Sequence, residues 1–301
     1  MIRILGAGLA GSFLHHHLAR QGISTVFLGR GETNTPPVGF VHLFQGRTFH
    51  RHPVEVEAYQ TAVKFWRAEP LAREWRVKRA VKEGDRLHRS ADTDTVPEEF
   101  RPAEMAPLSF QYGPGFTVAS GALVERMQGE TGKPSVGSDA GEDVTVYAVG
   151  KAVQELMPSL RWDTNPGRTV EGFCPEEPTL QPSFLHLHKG LHMGGNPSGD
   201  GFTLGGRVNS KGEAKDDEAE LAGSILQKQV ELRSEWWGER IANALDRWPL
   251  VGWLDESRFI FAGFGGRALF WLPYCVQVAR EALLTRNNAA IPMELRPDRF
   301  R

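Results

Sequence analysis

The chain has 301 residues, 40% hydrophobic and 24% charged, with a net charge of −2. That is an ordinary globular composition, enough for one large domain or two joined ones, and its near-neutral charge leaves no electrostatic footprint for nucleic acid or an anionic membrane. The two cysteines, Cys174 and Cys275, are far apart and in no CxxC arrangement, which excludes a disulfide framework and a cysteine metal site.

Met1 opens directly into the apolar run Ile2-Arg3-Ile4-Leu5, followed by Gly6-Ala7-Gly8-Leu9-Ala10-Gly11. Ala10, Phe13, Leu14 and Leu18 then recur at helical spacing. The expected unit is strand, glycine turn, helix. In such a turn Gly6 permits the reversal, Gly8 lets a pyrophosphate approach the backbone, and Gly11 brings the helix close to the strand. The helix N-terminus offers free N–H groups and the positive end of a dipole to the phosphates, starting at Leu9 and Ala10. Gly22 stops the helix and Ser24–Leu28 reads as the second strand, so the βαβ start fits within about thirty residues, as a dinucleotide fold requires. A strand starting at residue 2 leaves no room for a leader, no apolar run reaches the roughly 20 residues of a membrane span, and the chain is expected to be cytoplasmic.

One element of the fingerprint is absent. An acidic residue that would hold the adenosine ribose is expected at the end of the second strand, yet Leu28 is followed by Gly29-Arg30-Gly31, with Glu32 beyond. Arg30 could instead meet the 2′-phosphate of NADP, or be a solvated loop charge.

After the proline-marked loop 33–37 comes Gly39-Phe40-Val41-His42-Leu43-Phe44-Gln45-Gly46-Arg47-Thr48-Phe49. Residues 54 to 76 read as an amphipathic helix. The Pro-rich stretch to about Pro114 reads as loop-rich, and its basic residues Arg73, Arg76, Lys78, Arg79 and Lys82 as a solvated face. Residues 121–127 read as a short helix and 129–142 as an exposed loop; Asp143 to Gly150 reads as an apolar strand ending near Ala148 and Gly150. Phe184–His188 and Gly201–Val208 are strand candidates, and 216–234 an amphipathic helix. The last third carries Gly238-Glu239-Arg240, Asp246-Arg247-Trp248-Pro249-Leu250-Val251-Gly252, and Gly263-Phe264-Gly265-Gly266-Arg267-Ala268-Leu269. A helix opened by Pro273 and the terminus Arg296-Pro297-Asp298-Arg299-Phe300 follow.

In order and spacing these blocks resemble the flavoprotein oxidoreductases of the D-amino-acid oxidase and glycine oxidase superfamily. Gly39, Gly46, Arg47 and Phe49 match a Gly-Leu-Ile-Asn-Pro-x-x-Gly-Arg-Arg-Phe segment. Asp143 to Gly150 is similar to Asp-x-Val-Val-x-Ala-x-Gly, and Gly201–Val208 to a Leu-Leu-x-Gly-Gly strand. The last third is similar to Gly-x-Arg, Asp-x-x-Pro-x-Ile-Gly and Gly-x-Gly-x-Arg-Gly-Leu, with Ala268 in place of the usual glycine. This Gly-x-Gly-x-Arg form resembles in particular the oxidase part of the enzyme that modifies wobble uridines in tRNA. A β-excursion of the relatives before the 143–150 strand is largely missing here.

The resemblance implies an α/β fold with a Rossmann-type FAD-binding domain interrupted by a β-sheet-rich substrate domain. The FAD-binding part would take residues 1–66, 115–158 and 246–301, and the substrate part 67–114 and 159–245. It implies FAD held by Gly6, Gly8, Leu9, Ala10, Gly11, Arg30, Gly39, Arg47, Ala148, Gly150, Gly263, Gly265, Gly266, Arg267, Ala268 and Leu269. The activity implied is oxidation of a small-molecule amine or amino acid by hydride transfer, without an obligatory general base. Arg240, whose planar fork suits a carboxylate, would bind substrate or else pair with an acid such as Asp246. No metal is expected: His15, His16 and His17 cannot share one helix face, and His186, His188 and His192 read as a polar strand face or pocket wall. Two other readings are a cofactor-poor scaffold, which Gly29, the missing excursion and Ala268 favour, and an NADP-dependent enzyme, which rests on Arg30.

Overall fold

The computed structural model describes residues 1–29, 35–44, 51–80, 96–131, 144–188, 191–207 and 218–300. Arg30 and Arg47 lie outside them, as do Glu32, Lys82 and His50. The chain runs β1 (Ile2–Leu5), α1 (Leu9–Arg20), β2 (Thr25–Leu28), β3 (Gly39–His42), α2 (Pro53–Ala68), β4 (Ala72–Ala80), β5 (Ala103–Ala106), β6 (Ser109–Val118), α3 (Ser120–Thr131) and β7 (Val144–Tyr147). It continues through α4 (Val153–Leu156), β8 (Trp162–Phe173), β9 (Leu185–His188), β10 (Leu191–Gly195), β11 (Phe202–Arg207), α5 (Glu218–Leu226), β12 (Glu231–Asn243), β13 (Leu250–Trp253), β14 (Arg258–Ala262) and α6 (Ala268–Thr285). No helix among the described residues is long and apolar enough to cross a membrane.

Two compact units divide the chain: Met1–Thr35, Gly121–Asn165 and Glu239–Arg301 form one, Pro36–Ser120 and Pro166–Gly238 the other. The first contains a five-stranded sheet in the order β13-β14-β7-β1-β2. β2, β1, β7 and β14 are parallel, and β13 joins as an antiparallel edge. Their shortness and apolarity follow from burial on both faces, as in doubly wound sheets. Ile4, Val146, Ile260 and Phe261 are fully buried, each contributing about 1.5–3 kcal/mol of apolar burial. Val153, Leu160, Ile241, Leu250, Ile260 and Ala262 form one contiguous cluster of this core.

The second unit is built on a nine-stranded sheet, ordered β12-β8-β11-β10-β9-β4-β6-β3 with β5 hairpinned onto β6. The sheet curls until β3 and β6 lie over β10 and β11. Thr117 on β6 donates to the Gly195 carbonyl oxygen at 2.8 Å and accepts from the Trp75 indole on β4 at 3.0 Å. The curl needs missing side chains: a β-carbon at Gly194 would meet Thr117 at 2.5 Å, and one at Gly205 would meet the Phe40 ring at 2.6 Å. α5 covers Met193, Phe202 and Leu204 with Ala222.

Several element boundaries differ from the sequence expectation for local reasons. The helix read over 54–76 stops at Ala68, because Pro70 disfavours helical geometry at Glu69, and the rest becomes β4. Its start is well specified: His52 and Glu55 form a reciprocal capping box around Pro53, so His52 is spent on the cap. The 216–234 helix stops at Leu226, and residues from Glu231 onward become β12, whose first half is exposed. The last helix begins at Ala268, and Pro273 sits inside it.

The histidines of α1 do not converge on one point. The His15 ring stacks on Phe27 and bonds Thr25 at 2.8 Å, and His16 bonds Glu130 at 2.8 Å. Burial holds the His15 and His17 imidazoles below their ordinary range, with Arg280 adding to the effect at His17. Above the unfolded value of 6.5 both forms are neutral and the shift costs nothing. Below it the unfolded chain binds more protons, so stability falls as pH drops toward the folded values. Urea unfolding followed by tryptophan fluorescence is expected to give a lower midpoint at about pH 5.5 than at about pH 7.5, with the His15→Gln, His17→Gln double variant flatter over that window. Equal slopes for both proteins would contradict the assignment.

Candidate functional site

Three parallel strands of the first unit, β1, β7 and β14, end at one edge of the sheet, where open α/β folds place their ligands. The turn after β1 is held by the backbone. Gly6 sits at φ +112° and its N–H donates to the Leu28 carbonyl oxygen at 2.8 Å. A β-carbon there would lie 2.3 Å from the Ala148 carbonyl oxygen, and one at Gly11 would lie 1.8 Å from that of Gly6. Both positions must be glycine because protein backbone fills the space. Gly8 differs: its φ of −73° suits any residue, and no atom lies within 4 Å of where its β-carbon would be. The one glycine of the three that packing does not require is the one that faces open space.

Gly8 is also the N-cap of α1, which has no side-chain cap and no acidic residue in its first turn. The N–H groups beginning at Leu9 and Ala10 therefore project at the cradle with an unneutralised dipole end. The turn is braced from beneath by residues that the motif does not include. Ser12 donates to the Ala7 carbonyl oxygen at 3.2 Å, and Gln128 on α3 donates to the same oxygen at 3.1 Å and to Ser12 at 2.9 Å. A polar Ser12 on the buried face of α1, one turn past Gly8, was the available signal.

At the end of β7, the Ala148 N–H donates to the Leu5 carbonyl oxygen at 2.8 Å, and Gly150 follows at φ +54°, exposed and with open space at its β-carbon position. β14 leads into Gly263 at φ +78° and Gly265 at φ +55°, then one 3₁₀ turn, Gly265–Arg267, and α6. α6 is a second helix with neither side-chain cap nor acid in its first turn. Its opening residues Ala268 and Leu269 lie at the same strand-end edge as Gly263. The Arg267 guanidinium lies over Trp271 and Phe270, 5.4 and 5.9 Å from the ring centroids. The fully buried Trp271 indole N–H finds no hydrogen-bond partner among the described residues.

Arg240, near the end of β12, runs its side chain past Gly266: a β-carbon at 266 would be in van der Waals contact with Arg240 Cδ at 3.4 Å. Asp246, the acid considered as its partner, is engaged by Arg299 at 2.9 Å and by Asn243 at 2.8 Å. Burial alone would raise the Asp246 carboxyl, but hydrogen bonds from Arg299, the Trp248 N–H and Asn243 outweigh it and hold the group below its usual range.

The position of the missing acid has a steric explanation. A β-carbon at Gly29 would lie 2.4 Å from the Ala7 β-carbon and 3.1 Å from its nitrogen. The end of β2 packs directly on the turn that follows β1, and a carboxylate side chain at 29 has no room to start. In the second unit, Gly39 opens β3, and His42 at the end of that strand meets His192 of β10. Cys174 and Cys275 are buried, free thiols, and burial pushes the Cys275 thiol up, as for an inert core residue.

No protein-family model matches the chain. A curated relative, the tRNA 5-methylaminomethyl-2-thiouridine biosynthesis bifunctional protein of Maricaulis maris, is 24% identical over 294 residues, covering 90% of this chain and 50% of that protein. The chain thus spans about half the length of the curated relative it matches. Among solved structures, iminodiacetate oxidase from Chelativorans sp. BNC1 is similar with a TM-score of 0.74 at 15% identity, over 99% of both chains. Glycine oxidase from Geobacillus kaustophilus is similar with a TM-score of 0.73 at 16% identity, over 97% of this chain and 96% of that one. The fold is the one that the sequence resemblance implies.

The two kinds of glycine in the first turn separate by experiment. Gly11→Ala is expected to lower the melting temperature by several degrees, since the Gly6 backbone must move. Gly8→Val should leave the melting temperature of the ligand-free protein within roughly 2 °C and weaken FAD and ADP binding by at least about tenfold. Loss of stability in Gly8→Val, or unchanged nucleotide affinity, would show that the open space is not a ligand's.

Proposed function

We propose that the chain is an FAD-dependent oxidoreductase that oxidises a small amine or amino acid by hydride transfer to the flavin. The observation that carries this reading is the unfilled space at Gly8, framed by two glycines that backbone packing requires and by the uncapped N-terminus of α1. Pyrophosphate chemistry fits such a cradle: the N–H groups donate, and the dipole end favours the negative charge. Gly6, Gly8, Leu9, Ala10 and Gly11 would hold the ADP half together with Ala148 and Gly150, and Arg30, Gly39 and Arg47 would complete the cofactor contacts. The Gly263–Leu269 turn would present the start of α6 to the flavin.

When bound, the flavin supplies a two-electron acceptor for the substrate C–H bond. The chain's own residues bind and orient. The positive end of α6, with Arg267 beside it, favours negative charge near the turn. Arg240 would take the substrate carboxylate through two parallel hydrogen bonds. The buried free thiols fit a reducing compartment, and we place the protein in the cytoplasm.

The visible absorption spectrum of the purified protein tests the cofactor: flavin bands, with FAD released on heating, are expected. A colourless protein that also fails to take up added FAD would overturn the reading. In the flavin-loaded protein, Arg240→Met is expected to raise the substrate concentration for half-maximal anaerobic bleaching by about ten- to a hundredfold for amino acids while leaving it nearly unchanged for amines without a carboxylate. Equal effects on both substrate types would remove Arg240 from the carboxylate role.

A further inference from the structure

An open cavity of about 320 Å³ indents the first unit, and its lining belongs wholly to that unit: Trp253, Asp255, Glu256, Arg286, Asn287 and Asn288. That volume suits a small ligand. The cavity lies where β13 turns into β14 and where α6 ends. β14 runs from here to Gly263 at the strand-end edge, and α6 runs back from that edge over 18 residues, about 27 Å of helix. The cavity is therefore a place apart from the proposed cofactor contacts.

Much of its wall is tied down. The Trp253 indole N–H donates to the Ala282 carbonyl oxygen of α6 at 3.1 Å, and Phe259 stands edge-on to the same ring at 5.4 Å. Asp255 is spent on its own turn, accepting from the Ser257 and Arg258 N–H groups at 3.0 and 2.9 Å and pairing with the Arg258 guanidinium at 2.5 Å. Asn287 accepts from the Ala289 N–H at 2.8 Å and donates to the Thr285 carbonyl oxygen at 3.1 Å. Asn288 Oδ1 accepts from the Trp253 N–H at 2.9 Å, which leaves its Nδ2 as the free end.

Three groups on the wall remain uncommitted. The Glu256 carboxylate, the Arg286 guanidinium and Asn288 Nδ2 make no hydrogen bond or ion pair among the described residues. Glu256 and Arg286 carry opposite charges and line the same cavity, yet they form no salt bridge with each other. A gap between an acid and a base is left for something else to span. Arg286 is also an unusual residue for its position. It caps α6 at φ +52°, in the left-handed region where helices commonly end on glycine, so the chain holds a guanidinium at this rim against the preference of its backbone.

We infer that this cavity binds a small zwitterion of the α-amino acid class, with its carboxylate on Arg286 and Asn288 Nδ2, its ammonium on Glu256, and Trp253 as the aromatic wall. A guanidinium takes a carboxylate through two parallel hydrogen bonds. An ammonium has three donors for a carboxylate acceptor and is also drawn to the face of an indole. A simple anion would meet Glu256 unpaired, and a simple cation would meet Arg286 unpaired; a molecule bearing both charges satisfies both rims. Binding here needs no flavin and does not depend on the proposed function.

Indole ¹H–¹⁵N spectra of the intact protein, with the Trp253 signal identified by its loss in Trp253→Phe, test the site. L-phenylalanine should shift that signal with a dissociation constant of about a millimolar or tighter, whereas its methyl ester, which lacks the carboxylate, and its N-acetyl form, which lacks the ammonium, should each bind at least about tenfold more weakly. Arg286→Gly should fold at least as well as the unaltered chain, because glycine relieves the left-handed φ, and should lose the response; Glu256→Gln should weaken it at least about tenfold. Arg240→Met should leave it intact. No saturation below about 10 mM, equal shifts from all three compounds, or a response that survives Arg286→Gly would overturn the site. A response abolished by Arg240→Met would overturn it too, since the signal would then report the proposed substrate position instead.

Discussion

The first unit depends on a contact between bare backbones. At Gly11 the helix comes so close to the turn that the Gly6 carbonyl oxygen occupies the place of a side chain, and at Gly6 the Ala148 carbonyl oxygen does the same from the neighbouring strand. Two strands and a helix are thereby locked together at the edge where they end. The lock leaves Gly8 with open space and α1 with free N–H groups. Ser12 and Gln128 both donate to the Ala7 carbonyl oxygen and so brace the turn from α1 and α3.

The second unit solves a different problem with the same means. A long, mostly antiparallel sheet with polar and apolar residues alternating would leave one face wet, but glycines at 194 and 205 let β3 and β6 fold over β10 and β11. Phe40, His42, Tyr112 and His192 become an interior. A polar interior of this kind is tolerable only when its hydrogen-bonding atoms find partners: the Tyr112 hydroxyl lies 3.2 Å from His42 Nδ1, His42 Nε2 lies 3.2 Å from His192 Nε2, and Arg79 and Arg51 donate to the Phe44 and Leu43 carbonyl oxygens beside them.

How much of this was legible in the sequence depended on range. The βαβ start was readable residue by residue, because strand, turn and helix are set by neighbours within thirty positions. β8 and β12 were not: β8 contains Asn165-Pro166-Gly167, which reads as a turn, and the first half of β12 is exposed and charged, which reads as the wet end of a helix. Both become strands through pairing with distant segments. The histidines show the same limit. His186 and His192 were grouped because they are close in sequence, whereas the partner of His192 is His42, 150 residues away. Arg79, read with its neighbours as one solvated face, turns partly inward toward Phe44 and Tyr112.

The packing of Gly29 on Ala7 has a consequence for how such a site can change. The carboxylate that holds ribose in related cradles cannot be introduced at 29 by itself, because its β-carbon would collide with Ala7 before the charge could act. Removing the Ala7 methyl would relieve the closest contact but leave the Ala7 nitrogen 3.1 Å from the new β-carbon, so the backbone of the turn would still have to give way. The two positions are therefore coupled: what can stand at 29 is set by what stands at 7.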